Sequence, residues 1–201
     1  MAGDIGFVMS PTEILLRIGA VLDLLGVPYA VVGSMASSTW GFPRTTNDAD
    51  IVADLGQQHV DGLVEALAPD FYIERSAVER AVRTSRSFNA IHTDSAFKVD
   101  VFIPPAGGFG RQQIARRRHE RLGADPDAGS LAVATPEDVL LAKLDWYRTA
   151  GSVSDRQWQD VAGIIKVQGT ALDREYVREW AERMGLAALV DRALAEAGNS
   201  D

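Results

Sequence analysis

The chain has 201 residues, no cysteine, three histidines and a formal net charge of −8. This excludes disulfides and thiol chemistry, makes a zinc site unexpected, and argues against broad nucleic-acid binding while leaving room for a local basic patch. No apolar run reaches the ~20 residues that span a bilayer, and residues 1–10 lack a basic stretch followed by an apolar core. The expectation is a cytoplasmic globular domain, or a domain with a helical appendage.

In chain order, Ser10-Pro11-Thr12-Glu13 opens a helix. Serine caps it, proline takes the first turn and glutamate completes a capping box. Ile14, Leu15, Ile18, Val21, Leu22 and Leu25 form an apolar stripe at helical spacing, and Gly26 ends the helix. Tyr29-Ala30-Val31-Val32 reads as a short buried strand. Gly33-Ser34 closes it in a turn where backbone can approach a ligand and a hydroxyl is at hand. Residues 35–40 fit a short helix whose first N–H groups would face that turn and attract phosphate. Gly41, Pro43 and Asn47 mark a loop.

Asp48-Ala49-Asp50-Ile51-Val52 follows as a second strand. Side chains two apart share a strand face, so Asp48 and Asp50 stand together while Ala49 and Ile51 face the core. Two adjacent carboxylates repel, and a divalent cation relieves that conflict. Hard oxygens on one rigid face suit Mg²⁺, which takes one or two carboxylates plus substrate phosphates. An Asp-x-Asp pair alone would read as a solvated strand end. The preceding Gly-Ser turn shifts the reading to a metal–nucleotide site.

Further on, residues 57–67 read as an amphipathic helix stopped by Pro69, and residues 71–74 as a short strand. Residues 79–83 offer one helical turn or a link. Residues 87–92 and 96–103 look like paired strands joined by Thr93-Asp94-Ser95, with His92 near the tip as a surface residue outside any site. Asp100 lies within an otherwise apolar run, which is unusual for a purely structural residue. Pro104 to Gly108 break the chain, residues 109–115 suit a short helix, and residues 116–122 suit an exposed strand. A turn at Asp125-Pro126-Asp127 leads to a strand at residues 131–133. Arg111, Arg116, Arg117, Arg118 and Arg121 concentrate positive charge, either as an edge strand protected against pairing or as a lip for phosphate. Thr135 caps a helix containing Lys143 and Tyr147 on one face. Ser154 with Gln157 caps the next, Gly169 ends it, and residues 172–184 and 186–197 give two more. The expectation is an α/β (α+β) fold: a mixed sheet with helices over residues 1–134, then a helical bundle over residues 135–201.

Residues 29–103 resemble the signature of the nucleotidyltransferase superfamily, the DNA polymerase β-like fold: strand, Gly-Ser, helix, Asp-x-Asp, and a third carboxylate on a later strand. The loop Pro43-Arg44-Thr45-Thr46-Asn47-Asp48 is most similar to small bacterial proteins that include AbiEii-type toxins. The resemblance implies metal-dependent transfer of a nucleoside monophosphate from an NTP, ATP or CTP first, to an RNA 3′ end, a protein or a small-molecule hydroxyl. Asp48 and Asp50 would hold two Mg²⁺ ions (Mn²⁺ as a substitute) with the triphosphate, and Asp100 the ion nearer the acceptor, also taking the proton. Gly33 and Ser34 would cradle phosphates, Arg44 and Lys143 offset charge, and Thr46 or Asn47 orient the loop. Lys143 is placed by position in the helical segment, where Asp160 could anchor it or an arginine. A toxin–antitoxin role is one implication. The rival is a noncatalytic nucleotide-binding regulator or antitoxin-like partner on the same fold, which would have no need for three carboxylates.

Overall fold

The computed structural model describes residues 9–122 and 129–198; the expected turn at 125–127 lies outside them. The first helix, α1 (Pro11–Leu24), has the expected capping box: the Ser10 N–H donates to Glu13 Oε2 at 2.7 Å, and the Glu13 N–H donates to Ser10 Oγ at 3.3 Å. Its stripe of Ile14, Leu15, Ile18 and Leu22 is buried against the sheet.

Among the described residues, one seven-stranded sheet is built from β1 (Tyr29–Val32), β2 (Asp48–Ala53), β3 (Phe71–Ile73), β4 (Ser87–His92), β5 (Lys98–Phe102), β6 (Arg118–Arg121) and β7 (Ser130–Val133), in the order β3-β4-β5-β2-β1-β7-β6. The β2–β5 and β1–β7 pairs are parallel and the rest antiparallel. The mixed sheet expected from the sequence is therefore present. On one face, Ala49, Ile51, Val99, Val101, Phe88 and Ala90 are buried, beneath α1, α3 (Val60–Leu67) and α4 (Arg75–Thr84). On the other face, α2 (Gly33–Trp40) and α5 (Phe109–Arg116) cover β1 and β2. Beyond them Ser87 and Asn89 of β4 are exposed, as is Tyr72 of β3. The sheet thus carries an open, polar shelf beside its central strands.

The carboxyl-terminal part is helical: α6 (Pro136–Thr149), α7 (Asp155–Gln168), α8 (Arg174–Met184) and α9 (Ala187–Gly198). It is seated tightly on the core. The Trp40 indole donates to Ala134 O at 2.7 Å, and Gln168 Nε2 donates to Trp40 O at 2.7 Å. A Cβ on Gly41 would stand 2.9 Å from the backbone nitrogen of Ile164, so only glycine lets the end of α2 approach α7 this closely. Arg116 also spans the two parts, pairing with Glu137 at 3.2 Å and lying 3.6 Å from the centre of the Tyr176 ring. No helix among the described residues is long and apolar enough to cross a membrane.

Several local expectations are corrected. Residues 79–83 are part of the ten-residue α4, whose Val78 and Ala81 are buried. Tertiary burial of that narrow stripe outweighs its strongly polar composition. The expected helix at 57–67 opens with a 3₁₀ turn, Gln57–His59, before α3 begins. His92 is not a surface residue: it is 3% exposed, edge-on to Phe71, with Nδ1 2.9 Å from Ser95 Oγ. Hairpin closure folds the ring inward. Arg116 ends α5, and the edge strand starts at Arg118, so the two do not share a strand face. Ser154 stands at the N-cap of α7 without accepting a side-chain cap bond.

Candidate active site

The site is set by strand register. Asp48 and Asp50 alternate with buried Ala49 and Ile51 on β2. The parallel β2–β5 pairing places Asp50 opposite Asp100 and Asp48 opposite Lys98. All three carboxylates line one cleft of about 760 Å³. Burial, followed by the charges of Asp48 and Asp100, pushes the Asp50 carboxyl up to about 6. Asp100 Oδ2 accepts from Lys98 Nζ at 2.6 Å, which raises the lysine. Thr46 Oγ1 donates to Asp48 Oδ1 at 2.9 Å and steadies the end of the loop.

Gly33 is required by that geometry. It has φ +62°, and an added Cβ would lie 1.9 Å from Asp50 Oδ2. The backbone of the turn can therefore sit directly against the carboxylate. Ser34 follows at the start of α2, and its Oγ accepts from Arg44 Nη2 at 2.6 Å. Arg44 also donates to both carboxylate oxygens of Asp160, from Nε at 2.9 Å and Nη2 at 3.0 Å. Lys143 Nζ donates to the same Asp160 at 2.7 Å. Asp160, which the sequence offers as an anchor for one cation or the other, holds both. Asp160 is almost buried, which alone would raise its carboxyl. Hydrogen bonds from Arg44 and Lys143 outweigh that and hold it below the usual carboxylate range.

The residues singled out from the sequence are thus brought together: Gly33, Ser34, Arg44, Thr46, Asp48, Asp50, Asp100 and Lys143 all line the cleft. The arginine lip is not: Arg116, Arg117, Arg118 and Arg121 lie outside its lining, and Arg116 pairs with Glu137 at 3.2 Å and Asp138 at 3.6 Å. Other lining residues were missed. Trp146 is 60% exposed at the cleft; its i+3 spacing from Lys143 on α6 was the available signal. Arg86, Gln113 and Arg156 also line it. No local pattern marks them, since only the sheet register and helix packing bring them there.

The donor set suits a divalent cation in chemistry, with hard carboxylate oxygens whose mutual repulsion a cation would relieve. It is not a preformed cage, because among the described residues no three His, Cys, Asp or Glu side chains are grouped closely enough to hold a metal by themselves.

No protein-family model matches the chain, and no curated protein matches its sequence. Solved structures do. The chain is similar to an antigenic nucleotidyltransferase-like protein from Paracoccidioides brasiliensis (TM-score 0.56, 15% identity, 92% of this chain and 91% of that one). It is similar to ANT(2″)-Ia in complex with adenylyl-2″-tobramycin (TM-score 0.55, 12% identity, 86% and 95%). It also resembles a lincomycin-bound lincosamide antibiotic adenylyltransferase (TM-score 0.52, 12% identity, 80% and 98%). The chain therefore has the nucleotidyltransferase fold over most of its length.

Proposed function

We propose that this chain is a metal-dependent nucleotidyltransferase that moves a nucleoside monophosphate from an NTP to a hydroxyl acceptor. The observation that carries the reading is the meeting in one cleft of Asp48, Asp50 and Asp100 with the Gly33–Ser34 turn. Asp48 and Asp50 would hold two Mg²⁺ ions, with Mn²⁺ as a substitute, alongside the triphosphate, and Asp100 the ion nearer the acceptor. Bound there, such ions supply a lowered acceptor-hydroxyl pKa and charge neutralisation for the leaving pyrophosphate.

The chain's own groups do the rest. The N–H groups after Gly33 and the start of α2 meet phosphate oxygens. Arg44 and Lys143, fixed side by side by Asp160, face the charge that grows on the triphosphate. Trp146 offers a stacking surface for the base. The acceptor oxygen attacks the α-phosphorus, the α–β phosphoanhydride bond breaks, and pyrophosphate leaves. The hydroxyl proton passes to Asp100, directly or through water. For that transfer the Lys98 ammonium must yield its hold on Asp100.

ATP is our first choice of donor, since two of the similar structures are named for adenylyl transfer, and CTP the second. We place the protein in the cytoplasm. The likeness of residues 43–48 to AbiEii-type toxins is the ground for counting an RNA end, a protein or a toxin–antitoxin role among the outcomes.

Calorimetric titration of ATP, CTP, GTP and UTP, with Mg²⁺ and with EDTA, tests the reading. Binding is expected with Mg²⁺ and to weaken sharply with EDTA. Label transfer from the bound NTP is expected to stop in Asp48→Asn while the fold survives. Equal binding in both buffers would overturn the metal site. Nucleotide binding with no transfer to RNA, protein or small-molecule pools would leave a nucleotide-binding regulator.

A further inference from the structure

The cations around the cleft differ in how they are committed. Arg44 and Lys143 are held by Asp160, Lys98 by Asp100, and Arg111 by Asp54. Arg86 and Arg156 line the same cleft, and among the described residues neither side chain makes a hydrogen bond or ion pair; Arg156 stands in the first turn of α7, near the Arg44–Asp160–Lys143 group, and Arg86 at the other wall. The Arg86 backbone, by contrast, is pinned on both sides: its N–H donates to Ala81 O at 3.1 Å, and its carbonyl accepts from Ile103 N–H at 2.8 Å. The preceding Ser85 takes a left-handed conformation, φ 50°, which turns the chain from α4 into β4 at the cleft. The result is a fixed Ser85-Arg86-Ser87 edge, two hydroxyls about one uncommitted guanidinium.

A second observation is independent of the first. Gln113 of α5 is only 5% exposed, lines the cleft, and its Nε2 has no hydrogen-bond partner. That donor is unsatisfied where it lies, and a turn of the side-chain amide presents it to the cleft, where an acceptor atom would satisfy it. The helix that carries Gln113 is tied to the chain segment that bonds Arg86. Three residues before Gln113 on α5, Gly110 packs against Pro104 and Val52, and Pro104 follows the Ile103 that bonds Arg86. Phe102, Ile103 and Pro104 give this end an apolar wall.

The third point is charge. The carboxylates among the described lining residues are Asp48, Asp50 and Asp100, all assigned above to the metal–triphosphate. Nothing acidic remains for a polyamine such as the tobramycin carried by one of the similar structures. A long nucleic acid would need a track of free cations, whereas the cleft offers two uncommitted arginines on separate elements, Arg86 before β4 and Arg156 in the first turn of α7. We propose that the acceptor is a small hydroxylated molecule bearing an oxyanion, a phosphate or a carboxylate, gripped by Arg86 and Gln113 beside Asp100. The inference rests on the nucleotidyl-transfer reading and names the acceptor class for that same site.

A matched hexose series tests it: glucosamine, glucose, glucuronate and glucose 6-phosphate, which share a body and differ in charge. Each is titrated by ligand-observed NMR into the full chain loaded with Mg²⁺ and a non-hydrolysable ATP analogue, with tobramycin as a polycation. Glucuronate or glucose 6-phosphate is expected to bind at least about tenfold tighter than glucose, glucosamine or tobramycin, and the tighter of the two identifies the oxyanion. Arg86→Gln and Gln113→Met are each expected to weaken that binding roughly tenfold, with the ATP analogue's affinity unchanged. Tighter binding of tobramycin or glucosamine, no binding of either anionic sugar, or no effect of Arg86→Gln overturns the acceptor class while leaving nucleotidyl transfer intact. Failure of the ATP analogue itself to bind overturns both.

Discussion

Among the described residues, two clusters of acids are built oppositely. At the junction of core and helical part, Glu137 and Asp138 are almost wholly buried, yet each has partners: Arg116 between them, the Tyr176 hydroxyl on Asp138 at 2.5 Å, and the Asp173 N–H on Glu137 at 3.1 Å. In the cleft, Asp48, Asp50 and Asp100 face one another, with Lys98 the cation bonded to any of them. The first cluster is answered within the chain by a guanidinium, a hydroxyl and a backbone N–H, although burial still pushes the Asp138 carboxyl up. The second leaves a deficit that only something from outside can fill. On the function proposed here, that difference separates acids that hold a structure together from acids that await a ligand.

The sharpest way to break the comparison is at the junction. Arg116→Gln removes the one cation between Glu137 and Asp138 and strips the cation from the Tyr176 ring. A buried pair broken on one side costs about 3–5 kcal/mol, and partial exposure of Arg116 puts this case near the lower end. Urea denaturation of the metal-free protein measures it. Mg–ATP affinity of the folded fraction is expected to stay within about twofold, since Arg116 lies outside the cleft. A loss below about 1 kcal/mol would mean that the junction is not structural in the sense argued here.

Asp160 combines the two designs. It is nearly buried and holds both Arg44 and Lys143. Asp160→Asn keeps its shape but leaves two cations facing each other, so a loss of about 2–3 kcal/mol is expected, together with weaker nucleotide binding. The sign with pH follows from its lowered carboxyl. Its stabilisation is fully present above the unfolded value, near 3.9, and disappears as pH falls through the lower folded value. The gap between wild type and variant should therefore close in strong acid. A gap that persists there would assign the loss to packing.

Asp50 runs the other way. Its folded carboxyl is raised to about 6, against about 3.9 unfolded, so between those values the native state holds the extra proton. Stability of the metal-free wild type should fall as pH rises through that window. Asp50→Asn is expected to gain about 1–2 kcal/mol at pH 7, to lose that gain near pH 4, and to abolish transfer. Thermal melts at both pH values decide the matter. An Asn variant less stable than wild type at neutral pH would make Asp50 a structural residue.

How much of this was legible beforehand follows the range of the interactions. The capping box at Ser10 and Glu13, the Gly33–Ser34 turn and the Asp48–Asp50 pair are local patterns, and each stands where periodicity put it. Asp100 was found because a charge in an apolar strand is conspicuous, and β-register then set it opposite Asp50. Arg86 and Gln113 carry no such mark. Their place depends on the turn at Ser85 and on the packing of α5 over β2, which are tertiary facts. The arginine run holds only in part, as the exposed edge strand β6, and for the complementary reason. Five arginines close in sequence look like one surface, but a helix end falls between Arg116 and Arg118 and sends the first into a buried ion pair.

The smallest predicted effect is the control for all of these. Arg183 and Glu179 lie four apart on α8, form an ion pair, and are both more than half exposed, at 57% and 55%. Chemically this is the same Arg–carboxylate contact as at the junction. Physically it differs, because water solvates both partners whether or not they meet, and holding two long side chains together costs rotamer entropy. Arg183→Gln should therefore change stability by less than about 0.5 kcal/mol, and salt should erase what change there is. The stacking of Arg183 near Trp180, 5.1 Å from the ring centre, adds at most a similar amount. Urea curves at low and high ionic strength, run beside those of Arg116→Gln, set the scale. If the exposed pair proved as costly to break as the buried one, burial would not be what distinguishes the two acid clusters, and the contrast between junction and cleft would need another cause.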